Sequence, residues 1–188
     1  MPVDHFSAAL GRIDILVNNA GIGSSFDPRP LIEFDDQVWD MTLYVNVTVP
    51  YLLCKKVLPG MIRRHYGRII NIGSLAGKGT ILHGCAYAAS KHAILGLTRA
   101  LATEVVQDGI TVNAICPGPV RSAMNDKRVD YDARRLGKTP QEIEATISPL
   151  GRRLEPEEIA PMAVYLASDE AAVVTGQAFN VDGGSLMI

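Results

Sequence analysis

The sequence has neither a long hydrophobic run nor a strong excess of charge, and both absences exclude classes of protein. None of its apolar runs reaches the roughly 18 residues that a membrane-spanning helix needs. The formal net charge of −2 is too small to suggest attraction to nucleic acids or membrane surfaces. Met1 to Phe6 lack the basic start and apolar core of a secretory signal peptide. We therefore expect a cytoplasmic protein that binds neither nucleic acid nor membrane.

Cysteine is scarce, and its placement argues against disulfides and metal sites. Cys54, Cys85 and Cys116 are odd in number and lack the spacing of metal ligands. They are interpreted as buried free thiols in a reducing compartment, and no metal is expected. The chain has 188 residues, 47% hydrophobic and 20% charged, with no internal repeat. These values predict one globular domain over residues 1–188.

Short apolar runs alternate with helical patterns along the chain, which is typical of a parallel sheet wound with helices. The runs show no clean alternation of polar and apolar residues, so we expect strands covered on both faces. The predicted fold is α/β, a doubly wound Rossmann-like parallel sheet. Its predicted strands cover residues 13–17, 69–72, 110–115 and 178–181.

Three segments have the apolar periodicity of helices. Residues 35–64 form a long pattern in which Pro50 is expected to be absorbed as a bend. Residues 86–106 are apolar or small on every side, which predicts a helix buried all round. A third helix is expected from Pro156 to about Leu166, because proline and acidic residues favour the first turn.

Tyr87 and Lys91 carry the clearest chemical signal in the sequence. They are four residues apart within a predicted helix, so their side chains emerge on the same face. A nearby cation lowers the pKa of an acid by about 1 to 3 units, so Lys91 is predicted to lower the pKa of the phenol. Such a phenol suits general acid-base catalysis at a carbonyl or alcohol. Ser74 follows a predicted strand, at the end where open α/β sheets bind ligands.

The order of these residues along the chain matches a known family. Ser74 precedes the Tyr87-x-x-x-Lys91 pattern by thirteen residues, and Asn46 lies upstream in Tyr-Val-Asn-Val-Thr. Asn18-Asn19-Ala20-Gly21 follows the first predicted strand, and Pro117-Gly118 follows the third. Together they resemble the classical short-chain dehydrogenase/reductase family from about Gly11 to Gly184.

The resemblance implies catalytic roles for four residues. Tyr87 would be the acid-base group, and Ser74 would hydrogen-bond the substrate oxygen. Lys91 would assist the phenol and hold the nicotinamide ribose. Asn46 would bend its helix and position a water for proton relay behind Lys91.

The resemblance also implies a nicotinamide cofactor, NAD or NADP. The loop beside the adenosine ribose would be Asn19, Ala20 and Gly21. Tyr87 and Lys91 would bind the nicotinamide ribose, and the loop facing the nicotinamide amide would contribute Pro117, Gly118, Val120 and Ser122.

The first strands and glycine-rich turn of the family have no counterpart in this sequence. That turn holds the cofactor pyrophosphate at a helix N-terminus, and the second strand distinguishes NAD from NADP. The predicted strand at 13–17 matches the fourth strand of the family, so on the order of 60 to 80 residues are missing. We expect either a fragment or a shortened relative, and residues 1–188 alone are expected to bind NAD(P)H weakly and to be poorly soluble.

The resemblance leaves two functions open. Similarity is strongest to 3-oxoacyl and polyketide ketoreductases and to 3-hydroxybutyrate dehydrogenases, which implies hydride transfer to a carbonyl or from a secondary alcohol. The family packs its long helices between subunits, which implies a homodimer or homotetramer. Residues 121–152 fall where the family has its substrate lid. The alternative to an oxidoreductase is a non-catalytic, truncated family member that acts as an oligomerisation or binding partner.

Overall fold

The computed structural model describes residues 11–188, so Met1 to Phe6 and the first ten residues of the predicted domain lie outside the described residues. Within this part, four parallel strands form one sheet in the order β1-β2-β3-β4. The strands are β1 (Ile15–Asn18), β2 (Gly67–Ile72), β3 (Ile110–Pro117) and β4 (Ala178–Val181). Each predicted strand is present, with its bounds shifted by no more than two residues.

Helices cover both faces of the sheet, which confirms the doubly wound α/β fold. The α-helices are α1 (Asp36–Leu43), α2 (Val49–Arg64), α3 (Cys85–Val105), α4 (Ala123–Leu136), α5 (Pro140–Glu144) and α6 (Pro156–Ala167). On one face, α2 and α3 bury Met61, Leu101 and Val105 against Ile69 and Val112 of the sheet. On the other face, Leu166 of α6 packs with Ile70 and Ile115.

The expectation of strands covered on both faces is right for β2 and β3 but wrong for β1. β2 and β3 are buried along almost their whole length. In β1, Ile15 and Val17 are 46% and 45% exposed. The physical reason is that α6 packs on β2, β3 and β4, so the face of β1 that carries Ile15 and Val17 has no helix over it within residues 11–188.

The helical pattern at 35–64 is divided into three parts. Asp35 caps α1 by accepting a hydrogen bond from the Gln37 amide at 2.7 Å. A π-helical turn, Tyr44–Thr48, then separates α1 from α2, and the Val49 amide donates to the carbonyl of Tyr44. Pro50 has no N–H for the carbonyl of Asn46 four residues earlier, so the wider turn takes up the mismatch. The predicted bend is therefore a π turn that contains Asn46.

The helices α3 and α6 agree with their predicted ranges, 86–106 and 156 to about 166, to within one residue. The capping of α6 is stronger than predicted, because Glu155 and Glu158 form a reciprocal capping box. The expectation that α3 is buried all round is wrong for the single chain, because Ala93, Gly96 and Ala100 are exposed on one side. Residues 121–152 contain α4 and α5, joined through Gly137, which has a φ of 64°.

The turn that follows β2 packs directly on the backbone of α3. Residues Leu75–Gly77 form a short 3-10 turn capped by Ser74. A Cβ on Gly77 would lie 2.5 Å from the carbonyl oxygen of Lys91. A side chain at this position therefore forces the turn and α3 apart, which makes glycine a packing requirement.

We expect Gly77→Ala to lower the free energy of unfolding by about 1 to 3 kcal/mol, because the added methyl overpacks a backbone contact. The measurement is chemical denaturation of the wild type and the variant. Gly79→Ala is the matched control, since a Cβ there would lie 3.6 Å from its nearest neighbour, the Leu75 carbonyl oxygen. A Gly77 variant as stable as the Gly79 variant contradicts the prediction.

Candidate active site

A cavity of about 570 Å³ lies at the carboxyl ends of β1, β2 and β3, with α3, α4 and α6 around it. Most of the residues singled out from the sequence line it. They are Asn19, Gly21, Ser74, Tyr87, Lys91, Pro117, Gly118, Val120 and Ser122. Ala20 is exposed beside the cavity, and Asn46 lies buried behind its wall.

Ser74 and Tyr87 meet through their hydroxyl groups. Ser74 has extended backbone angles at the end of β2, and its Oγ accepts a hydrogen bond from the Ala76 amide at 3.1 Å. Burial raises the pKa of the Tyr87 phenol, and the hydrogen bond with Ser74 offsets part of this rise. The predicted lowering of the phenol pKa is thus wrong for this structure, because the desolvation of Tyr87 outweighs the effects that favour the phenolate.

Lys91 lies beneath the Tyr87 ring. Its Nζ is 5.6 Å from the ring centroid and donates a hydrogen bond to the carbonyl of Ile72 at 2.7 Å. Burial lowers the pKa of Lys91 to about 8, while the nearby Cys116 acts weakly in the opposite direction. The ammonium is therefore directed at the carboxyl end of β2, where it faces the cavity.

Asn46 joins three elements around the site. Its side-chain amide donates to the Ile22 carbonyl and to Ser90 Oγ, both at 2.9 Å, and its carbonyl oxygen accepts from the Ile22 amide at 2.8 Å. A Cβ on Gly21 would lie 3.2 Å from Asn46 Oδ1. Asn46 thus fastens the loop after β1 to α3. Ser90 was not predicted as a site residue from the sequence, although it directly precedes Lys91 on the same predicted helix.

Asn18, the first residue of the Asn-Asn-Ala-Gly segment, belongs to the sheet rather than to the cavity wall. Its side chain donates to Asn71 Oδ1 at 2.8 Å, and Asn71 donates to Thr98 Oγ1 at 2.9 Å. These buried side chains connect β1, β2 and α3. Asn18 therefore stabilises the sheet and does not contact the cavity.

The loop after β3 is held in an extended shape by a parallel bridge between Val120 and Leu154. The Arg121 amide donates to the Leu154 carbonyl, and the Leu154 amide donates to the Pro119 carbonyl, both at 2.8 Å. In a parallel bridge the flanking residues supply the bonds, so the backbone amide of Val120 faces away from Leu154. Ser122 caps α4 by accepting from the Asn125 amide at 3.3 Å.

Helix α4 contacts the far side of the cavity, and its residues were not predicted individually as site residues. Met124 fills the space beside Gly23, and its carbonyl accepts from Ser25 Oγ at 2.6 Å. Asn125 and Arg128 also line the cavity. The only available signal was their position in the segment 121–152.

The histidines and cysteines near Tyr87 stay outside the reacting centre. His83 Nδ1 hydrogen-bonds the Tyr131 hydroxyl, whereas His92 is exposed. Cys54 and Cys116 are buried free thiols as expected, but Cys85 is only half-buried. Within residues 11–188, no cluster of three or more histidine, cysteine or acidic side chains could hold a metal ion.

The fold and the cavity define a doubly wound α/β protein with a serine, a tyrosine and a lysine at the strand ends. A family model described as enoyl-(acyl carrier protein) reductase matches residues 2–185. Among curated relatives, a ketoacyl reductase of the granaticin polyketide synthase from Streptomyces violaceoruber is 42% identical over 93% of this chain and 65% of the relative. The 3-oxoacyl-[acyl-carrier-protein] reductase of Vibrio harveyi is 40% identical over 95% of this chain and 68% of the relative.

The solved structures agree with these relatives. A variant of actinorhodin polyketide ketoreductase solved with NADPH has a TM-score of 0.90 and 38% identity, covering 97% of this chain and 70% of that chain. The chain belongs to the short-chain dehydrogenase/reductase family. It spans about two thirds of the length of the curated relatives it matches.

The groups around the cavity fit the nicotinamide end of a dinucleotide. Lys91 Nζ and the Tyr87 hydroxyl are hydrogen-bonding groups of the kind that a ribose requires. The amide of Val120, turned away from its bridge, is a donor suited to a carboxamide oxygen. This donor set agrees with the cofactor class expected from the family resemblance.

The lowered pKa of Lys91 predicts a pH-dependent stability. Its folded-state pKa of about 8 lies below its ordinary value of 10.5, so the unfolded chain binds more protons between these values. Relative to Lys91→Met, the wild type should therefore gain stability as pH rises from about 8 to 10.5. The expected gain is about tenfold in the unfolding equilibrium constant per pH unit inside that window.

The measurement is urea denaturation of both proteins from pH 7.5 to 10. The free energies of unfolding are compared as a difference, so that the contributions of other titrating groups cancel. Lys127→Met, which replaces an exposed lysine, is the control and should follow the wild type. Parallel curves for the wild type and Lys91→Met would show that burial does not hold Lys91 at a lowered pKa.

Proposed function

We propose that this protein is an NAD(P)-dependent oxidoreductase that interconverts a carbonyl compound and a secondary alcohol. The observation that carries the proposal is the convergence of Ser74, Tyr87 and Lys91 on one wall of the cavity. A hydroxyl pair beside a buried ammonium can bind an oxygen atom and exchange a proton with it. The named ketoreductases among the relatives support the same reaction class.

Tyr87 is the proton donor when the carbonyl is reduced. Its raised pKa keeps the phenol protonated near neutral pH, so the proton is available at Tyr87 Oη for the substrate oxygen. Ser74 Oγ orients that oxygen by a second hydrogen bond. Once the proton has left, the Lys91 ammonium and the Ser74 hydroxyl stabilise the phenolate.

A bound nicotinamide cofactor supplies the hydride for reduction, or accepts it for oxidation, at the carbonyl carbon. Tyr87 and Lys91 would hold its nicotinamide ribose, and the loop facing its amide would be Pro117, Gly118, Val120 and Ser122. The adenosine ribose would lie against Asn19, Ala20 and Gly21. Either NAD or NADP satisfies these contacts.

Asn46 would act as a positioning residue for proton relay. Both N–H groups of its side chain are used by Ile22 and Ser90, so we propose that the backbone carbonyl of the π turn holds a water behind Lys91. Pro50, lacking an N–H, keeps that carbonyl free of the usual helical hydrogen bond.

For the substrate we propose a 3-oxoacyl or 3-hydroxyacyl compound, with residues 121–152 as the lid that selects it. The relatives named as 3-oxoacyl reductase and D-beta-hydroxybutyrate dehydrogenase act on compounds of this kind. Met124, Asn125 and Arg128 of α4 reach the cavity from this segment.

Within residues 11–188, no helix is both long and apolar enough to cross a membrane. We further propose that the protein acts in the cytoplasm.

A homodimer or homotetramer is the proposed assembly. The exposed side of α3 carries Ala93, Gly96 and Ala100, whose small side chains allow a second helix to approach closely.

A non-catalytic binding partner is the competing function, and the named relatives give it no support. Fluorescence titration with NADH and NADPH separates the two, because only the oxidoreductase binds cofactor and reduces ketones.

In a chain that is given an N-terminal segment, Tyr87→Phe should reduce turnover by about 10²-fold or more while leaving cofactor affinity nearly intact, because it removes only the acid. The measurements are kcat with a 3-oxoester and the Kd of NADPH. Tyr66→Phe is the matched control, since Tyr66 contacts Asp169 at the other end of the sheet. Normal turnover in the Tyr87 variant would remove this residue from the mechanism.

Gly96→Leu should dissociate the proposed oligomer without unfolding the chain. A Cβ on Gly96 meets no atom within 4 Å, so the single chain tolerates leucine, whereas a closely packed second helix does not. Light scattering measures the mass of the particle, and circular dichroism checks the fold. Arg134→Leu, on the exposed side of α4, is the control and should keep the wild-type mass. An unchanged mass for Gly96→Leu would place the interface elsewhere.

A further inference from the structure

The cavity contains few charges, and their pairing determines which substrates it can accept. Among the described residues that line it, the basic side chains are Lys91 and Arg128, and none is acidic. Lys91 is buried beneath Tyr87 and bonded to the Ile72 carbonyl. The charge that faces the substrate end of the cavity is therefore that of Arg128, on α4.

Arg128 is held by three groups. Its Nε and Nη2 donate to the two carboxylate oxygens of Asp132, at 2.7 and 3.1 Å. Its Nη1 donates to the Leu82 carbonyl at 2.9 Å, and its guanidinium lies 5.4 Å from the centre of the Tyr131 ring. This fork-to-fork ion pair is bidentate and part-buried, so it persists where an exposed pair would be screened.

The ion pair reduces the attraction that Arg128 could exert on an anion. A carboxylate brought to the cavity side of Arg128 would meet the guanidinium and the Asp132 carboxylate together, so the repulsion by Asp132 opposes the attraction by Arg128, even though Asp132 also pairs with Arg135 at 3.2 Å. It would also lose its hydration without gaining a free cation, which is unfavourable. An uncharged substrate has no such cost.

We propose that Asp132 is a specificity-determining residue, which pairs with Arg128 so that the cavity selects uncharged 3-oxo compounds over 3-oxo acids. This inference rests on the proposed carbonyl reduction at Tyr87. It narrows the substrate class to neutral 3-oxo compounds such as esters and thioesters.

Asp132→Asn is the central test, because it removes the negative charge but keeps the shape of the side chain. The probes are acetoacetate and ethyl acetoacetate, which share the reacting ketone and differ in charge. In the wild type, kcat/KM should favour the ester. In Asp132→Asn the ratio should move toward acetoacetate by about tenfold, since one unscreened charge at this range has about that effect. Asp132→Ser repeats the test with a second replacement.

Two further variants isolate the ion pair. Arg128→Gln combined with Asp132→Asn should lose the gain for acetoacetate, because the released cation is then absent. Arg134→Gln is the matched control, since Arg134 is an exposed arginine of the same helix that does not line the cavity. Its ratio should equal that of the wild type.

The failure of this inference is distinguishable from the failure of the proposed function. If the wild type reduces the esters but Asp132→Asn leaves the acetoacetate ratio unchanged, Asp132 does not set the charge preference and the inference is overturned. If the wild type, given an N-terminal segment, reduces none of the probes with NADH or NADPH, the proposed function fails. Ligand-observed NMR with acetoacetate and ethyl acetoacetate then reads the charge preference from binding alone, with the same expected order among the variants.

Discussion

The seating of α3 against the carboxyl ends of β1 and β2 is the constraint on which the rest of the site depends. The helix carries Tyr87 and Lys91, and both must lie opposite the turn that presents Ser74. The absence of a side chain at Gly77 lets this turn reach the helix backbone. Buried hydrogen bonds from Asn46 and Asn71 to α3 then fix the helix at both sides of the contact.

This arrangement removes Tyr87 and Lys91 from water, which is electrostatically unfavourable for their charged forms. Burial raises the pKa of Tyr87 and lowers that of Lys91, so desolvation pushes both toward their neutral forms. Ser74 and the Ile72 carbonyl offset part of the cost by hydrogen bonding. The result is a phenol that holds its proton near neutral pH, beside an ammonium that can stabilise the phenolate once the proton has passed to the substrate oxygen. On the opposite wall, the carboxylate of Asp132 opposes the positive charge of Arg128.

Much of the fold follows from local signals in the sequence. The four strands and the helices α3 and α6 were predictable because apolar runs, proline and acidic caps act within a few residues of one another. The division of the helical pattern at 35–64 was not, because the π turn depends on how Asn46 must face Ile22 and Ser90. The exposure of Ile15 and Val17 also escaped prediction, since local apolarity does not reveal which strand a distant helix will cover.

The sequence by itself determined which chemical groups are present and which share a helix face, because spacing alone brings Tyr87 and Lys91 together and places Ser74 after a strand. Only the tertiary structure decided their electrostatic state. The pKa of Tyr87 depends on burial by segments far along the chain, so reasoning from its near neighbour Lys91 gave the wrong direction. The tertiary structure likewise brought Asn125 and Arg128 of α4 to the cavity formed by the strand ends. Contacts between distant segments have no local signature, because they arise from the packing of whole elements.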